Sequence, residues 1–219
     1  MEQIQDIKFS VEPKLADDGI KVRVATFSVS EVTKRRSKEF QKMIDVVIEK
    51  LNIAEMLKSP IFEEYKKFYK VVEMEGLPPA EHLLKLIEKS GMLPNINKVV
   101  DCYNIISAET MLSIGAHDLA NINGNIQFRY TDGTEKYTPL GKNETEKVAK
   151  GEYACLDDEK ILCRMDLKQC DETKVGGDTK NFIVYVQGNS ATSDEYVLEG
   201  LQKVCNNIEI FCNATYRII

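Results

Sequence analysis

Residues 97–119 read NKVVDCYNIISAETMLSIGAHDL, and the character of the chain changes across this stretch. Before it, apolar residues recur every three or four positions. After it they alternate in short runs. The tract opens with Val99 and Val100 and carries the small-residue segment Gly115-Ala116-His117-Asp118 near its end. Two small residues let a backbone or a ligand approach closely, so this segment reads as a loop with a histidine at its tip.

N-terminal to the tract, Ile20, Val22 and Val24 alternate with polar residues, and Phe27 and Val29 resume one step out of phase. This predicts a strand with a bulge. Ser37 opens a helix with Phe40, Ile44, Val47, Ile48 and Leu51 on one face. Ile61 to Val72 is a second helix, stopped by Gly76. Pro78-Pro79 introduces a third, lined by Ala80, Leu83, Leu84 and Ile87, with Gly91 just beyond its end. C-terminal to the tract, Ile126, Phe128 and Tyr130 alternate, and Thr131-Asp132-Gly133-Thr134 reads as a hairpin turn returning through Lys136–Leu140. Tyr153–Cys155 and Lys160–Arg164 form a second hairpin around a solvated Asp157-Asp158 tip. Phe182, Val184 and Val186 form a strand after Gly176-Gly177. Ser193 caps a helix bearing Val197, Leu201, Val204 and Cys205, and Ile208, Ile210 and Cys212 read as a closing strand. This order predicts an α+β fold, a helical N-terminal part around a mixed or antiparallel sheet, in a single domain over residues 1–219.

The 219 residues are 43% hydrophobic and 29% charged, sufficient for a core and a solvated surface. No apolar run approaches the ~20 residues of a membrane span, and the first six residues lack the blocks of a signal peptide. A cytoplasmic protein with no membrane partner is expected. The net charge of −6 argues against a broad nucleic-acid surface and against DNA, though not against a local patch holding an RNA end. The two dense basic stretches, Lys34–Lys38 and Lys66-Lys67 with Lys70, read as solvated helix surface. The six cysteines lack metal-knuckle or redox-motif spacing and read as reduced, mostly buried thiols. Phosphate-binding glycine fingerprints, nucleophile elbows and metal-binding histidine pairs are absent, so neither a metal nor an organic cofactor is expected.

Of the two histidines, His82 sits beside the apolar stripe of the third helix and reads as a partly exposed helix residue. His117 is the candidate for chemistry, since an imidazole in a loop can position a water or accept a proton. Asp118 beside it can orient a ring, cap the next turn, or pair with Arg129 or Arg164.

Val99-Val100-Asp101-Cys102-Tyr103-Asn104, followed after ten residues by Gly115-Ala116-His117-Asp118-Leu119, resembles the B-three/four domain. That is the tRNA-editing module of the phenylalanyl-tRNA synthetase β subunit, and the chain is more similar still to free-standing relatives of it. Pro78-Pro79-Ala80-Glu81, Leu93–Asn97, Ile126-x-x-Arg129, Asp132–Glu135, Cys163-Arg164 and Asp178-Thr179 fit the same resemblance, which covers about residues 60 to 190. It implies hydrolysis of the ester joining a wrongly attached amino acid to tRNA, in a second, hydrolytic site. The transient partner would be the aminoacylated 3′ end. The implied catalytic residues are His117, Asp118 and Asn104, with Asp118 orienting His117 and Asn104 steadying the oxyanion. Asp101, Tyr103, Gly115, Ala116, Arg129 and Tyr185 would line the substrate. Synthetases often carry a pocket histidine where this chain has Gly115, and a glutamate tied to tyrosine recognition falls on Tyr185, so tyrosine specificity does not carry over. The chain also lacks the ATP-dependent activation motifs of a tRNA ligase. The alternative is a non-catalytic module binding tRNA or an amino acid, or an interaction protein whose pocket is filled by its own side chains.

Overall fold

A computed structural model describes residues 7–219. In chain order the elements are β1 (Phe9–Val11), α1 (Pro13–Asp17), β2 (Lys21–Ser28), α2 (Lys38–Lys50), α3 (Ile53–Met56), α4 (Pro60–Val71), α5 (Pro79–Ser90) and α6 (Lys98–Thr110). They continue with β3 (Ser113–Asp118), β4 (Ile126–Tyr130), β5 (Tyr153–Leu156), β6 (Ile161–Arg164), β7 (Lys168–Gln169), β8 (Asn181–Gly188), α7 (Asp194–Cys212) and β9 (Thr215–Ile218). α2, α6 and α7 start where a side chain satisfies a free amide: Ser37 accepts from Phe40 N, Asn97 from Val100 N, and Ser193 from Tyr196 N. Gly91 ends α5 with φ 70°, a left-handed geometry natural to glycine.

The strands form two sheets, one of order β1-β4-β5-β6-β7 and one of order β3-β8-β2-β9. The four-stranded sheet is the middle layer of an α+β stack. Ala25, Phe27, Ile114, Ala116, Phe182, Val184 and Val186 on one face pack against α2, α5, α6 and α7. Val22, Val24, Ile183 and Tyr185 on the other face meet the five-stranded sheet and α4 through Phe128, Tyr153, Cys155, Leu162, Tyr65 and Tyr69. A sheet covered on both sides needs apolar residues at odd and even positions alike. That accounts for the phase change in β2, which pairs with β8 without interruption from Lys21↔Gly188 to Ser28↔Asn181 and contains no bulge.

Four further expectations are corrected. The partner of β4 is β5, not Lys136–Leu140. The Asp132 turn closes on itself, with Glu135 accepting from Asp132 N and Gly133 N, and Asp132 Oδ1 accepting from Thr134 N. Residues 131–152 therefore form a long excursion from β4 that touches the sheet again through isolated bridges, Lys136 with Lys160 and Pro139 with Cys170. Ile208 to Cys212 is the last turn and more of α7: Val204, Cys205, Ile208 and Cys212 are buried at helical spacing while Ile210 is 64% exposed. Asn213, with φ 51°, ends that helix, and the closing strand is β9. The Asp157-Asp158 tip is solvated only in part: Asp158 and Glu159 are exposed, but the Asp157 carboxylate is buried and accepts from Asn123 N, Glu159 N, Lys160 N and Lys160 Nζ. Similarly, Arg36 is not part of a solvated helix start. It is buried, donating to Asp101 Oδ2 at 2.7 Å and to the carbonyls of Leu93 and Pro94. No helix among the described residues is long and apolar enough to cross a membrane.

Candidate functional site

The segment Gly115–Asp118 is not a loop. It belongs to β3, all of whose residues are buried, paired antiparallel with β8 in the register Ser113↔Gln187, Gly115↔Tyr185, His117↔Ile183. Successive side chains of a strand point to opposite faces, so Ser113, Gly115 and His117 face the seam between the sheets. Ala116 and Asp118 face the other way, and Ala116 joins the helix-side core.

His117 is 1% exposed, its Nδ1 lies 2.8 Å from Thr173 Oγ1, and its Nε2 is buried without a partner. Burial disfavours the charged ring and pulls its pKa down to about 3. It is therefore a neutral imidazole at physiological pH. Asp118 does not orient it. Of the alternatives left open by the sequence, Asp118 caps the next turn, accepting from Ala120 N, and its other oxygen accepts from Thr179 Oγ1. The ring of Tyr185 lies across Gly115: a Cβ there would sit 2.2 Å from the Tyr185 hydroxyl oxygen. Tyr185 also stacks on His117 at 5.8 Å, meets Phe128 edge-on, and accepts from Gln169 Nε2. The space above Gly115 is filled by the chain itself.

The other expected residues are spread apart. Asp101 is fully buried as the partner of Arg36, and its second oxygen accepts from Ile96 N. This carboxylate fixes the segment entering α6. Tyr103 packs at the edge of the helix-side core. Arg129 follows Phe128, which faces the seam, and so points outward; its Nη1 pairs with Glu135 at 2.7 Å. Asn104 lines a groove of about 400 Å³ with Leu77, Pro79, His82, Leu83 and Leu167. His82 is exposed within it, making it the accessible histidine of the two. Asn104 and His82 thus share a concave surface that His117 does not line.

The seam also holds a polar knot that the sequence reading missed. Asp166, fully buried, accepts from Tyr69 Oη at 2.5 Å, Tyr153 Oη at 2.7 Å and Ser113 Oγ. Gln187 Nε2 donates to Tyr153 Oη, Tyr65 Oη donates to the Gln187 carbonyl, and Gln187 Oε1 has no partner. Burial raises the pKa of Asp166, opposed by the three hydroxyl donors. The one available signal was strand alternation, which puts Ser113 on the face of His117. The contribution of Asp166 follows from long-range packing, which no local pattern records. Among the described residues no group of three or more His, Cys, Asp or Glu is arranged to hold a metal ion.

A family model described as the B3/4 domain matches residues 68–198. That span includes α5, α6, β3, β8, Asn104 and Asp166. The chain is 30% identical over 132 residues to the phenylalanine–tRNA ligase beta subunit of Fusobacterium nucleatum subsp. nucleatum. The alignment covers 60% of this chain and 15% of that protein, so the chain spans a small part of its relative. An N-terminal fragment of the phenylalanyl-tRNA synthetase beta subunit from Pyrococcus horikoshii has the same fold. Its TM-score is 0.53 at 15% identity, over 97% of this chain and 51% of the fragment.

Proposed function

This chain belongs to the B3/4 domain family, and from that premise we propose that it acts in trans on the aminoacylated 3′ end of tRNA, hydrolysing the ester of a wrongly attached amino acid. The observation that carries the reading is the family match over residues 68–198, which takes in both the seam and the Asn104 groove.

Ester hydrolysis needs a positioned water, donors for the developing oxyanion, and a proton for the departing ribose hydroxyl. A buried neutral ring does not deliver that proton from its resting position, so the proton-handling role passes from His117 to His82. The Asn104 amide, in the same groove, supplies the oxyanion donor. The terminal hydroxyl of the tRNA can assist, so a full triad is not required. His117 becomes a positioning residue: through Thr173 it ties the 170–179 loop to β3, and its unpartnered Nε2 is the nitrogen free to meet a substrate group if Tyr185 swings from Gly115.

A second reading is favoured by the filled space above Gly115 and the neutral state of His117. In it the chain retains the aminoacyl end, or a free amino acid, without hydrolysing anything. Single-turnover deacylation with a panel of correctly and wrongly charged tRNAs, run beside filter binding, separates the two. The first reading expects selective hydrolysis, slowed at least about tenfold by His82→Ala and by Asn104→Ala with tRNA affinity nearly unchanged, the scale set by losing one general acid–base group. Binding without hydrolysis selects the second reading. Neither binding nor hydrolysis by folded protein overturns both.

A further inference from the structure

Six cysteines are buried and free, and two of them touch. Cys102, in the second turn of α6, and Cys212, the last residue of α7, bring their sulfurs to 3.9 Å across a sequence separation of 110. The helices are fastened to each other at this point. Asn207 Nδ2 donates to the Cys102 carbonyl, the Cys102 thiol approaches the Asn207 carbonyl at 3.6 Å, and Lys98 Nζ donates to the Phe211 carbonyl at 3.0 Å. From this geometry we infer that Cys102 and Cys212 form an oxidative modification site, closing to a disulfide when the chain meets a peroxide.

The approach is short. A disulfide needs its sulfurs about 2.05 Å apart, so the pair must close by about 2 Å. Cys212 is the last residue of α7, where Asn213 turns left-handed, so closing the gap asks for adjustment at a helix end and not within a helix. The pair is also chemically unequal. The hydrogen bond from the Cys102 thiol holds the Cys212 pKa below the ordinary thiol value, against its burial and with help from Lys98, while burial pushes Cys102 well above it. Cys212 is the attacking sulfur and Cys102 the resolving one. The Cys212 thiolate attacks one peroxide oxygen, the O–O bond breaks, and the departing hydroxide takes a proton to leave as water. The Cys102 sulfur then displaces hydroxide from the Cys212 sulfenic acid, and its thiol proton completes the second water. Two thiols and one hydrogen peroxide give one disulfide and two waters.

An internal control lies in the five-stranded sheet. Cys155 and Cys163 are directly opposed across β5 and β6, yet burial raises both thiols, so neither is primed as Cys212 is. A chain that oxidised by proximity in sequence register alone would link this second pair. Crosslinking Cys102 to Cys212 would instead tether α6, which carries Asn104, to the end of α7, without touching the seam. This inference does not depend on the proposed reaction.

The test uses the full chain, treated with hydrogen peroxide under native conditions, alkylated, and analysed by intact and peptide mass spectrometry. The expected result is loss of two of the six thiols, one crosslinked peptide joining Cys102 to Cys212, recovery by dithiothreitol, and a higher melting temperature for the oxidised form. In Cys102→Ala the resolving thiol is gone, and Cys212 should accumulate as a sulfenic acid that dimedone traps. The wild-type peptide map needs no variant, so a poorly folding Cys102→Ala leaves the test intact. A crosslink at Cys155–Cys163, or retention of all six thiols in folded protein at peroxide levels that oxidise free cysteine, overturns the inference.

Discussion

Lowering the pH from 7 to 5 should cost this chain about 2 kcal/mol of stability through His117 alone. Folding depresses the pKa of this ring to about 3 from an ordinary 6.5. Below 6.5 the unfolded chain takes up a proton that the folded chain refuses, so each further pH unit favours unfolding by about 1.4 kcal/mol until about pH 3. Stability from this group is thus complete above 6.5 and is lost as pH falls. Between pH 7 and 5 the sum is about 2 kcal/mol, a sizeable share of the ~5–15 kcal/mol that holds a domain together. Urea denaturation at pH 7, 6 and 5 measures it, with His117→Gln as the reference that cannot take up the proton and can still bond Thr173. The wild type should lose stability faster than the variant by that amount. Parallel pH curves, or an NMR titration placing His117 near 6.5 in the folded state, would refute the assignment of a buried neutral ring.

Three other outcomes follow from the same structure. Asp166 has a raised pKa, so its ionised form becomes a growing cost as pH rises above the ordinary 3.8; the destabilisation caused by Asp166→Asn, measured by urea titration, should shrink between pH 4 and 7. Arg36→Met leaves the buried Asp101 carboxylate unpaired and should cost about 3–5 kcal/mol in chemical denaturation; a loss under 1 kcal/mol would show that the pair is not buried as described. Gly115→Ala forces a Cβ into the Tyr185 ring and should cost about 1–3 kcal/mol, and in the double variant with Tyr185→Ala the two losses should add to less than their sum.

α2, α4, α5 and the first part of α7 were legible because an apolar stripe coincides with a cap or stop such as Ser37, Ser193 or Gly91. By contrast, α1 and α3 are too short to show a stripe, and α6 does not read as a helix because it is buried on most sides. The strands were harder. β2 is covered on both faces, so its apolar pattern mimics a bulge, and the alternation of Ile208, Ile210 and Cys212 is only a sample of a helical stripe. The partner of β4 lies beyond a 22-residue excursion, and no local turn signal could name it. The site shows the same limit. Gly115 is a place of close approach, as its small size suggested, but what approaches it is Tyr185, from a strand 70 residues away, while Ala116 packs into the helix-side core. His82 looked like plain helix surface because the groove it shares with Asn104 is assembled from three separate segments.

The central claim is tested most directly by single-turnover deacylation of a misacylated tRNA panel with wild type, His82→Ala and His117→Gln side by side. The account predicts selective hydrolysis that falls at least about tenfold in His82→Ala and much less in His117→Gln. Hydrolysis lost in His117→Gln but retained in His82→Ala would contradict it, returning the chemistry to the seam and requiring that Tyr185 open it.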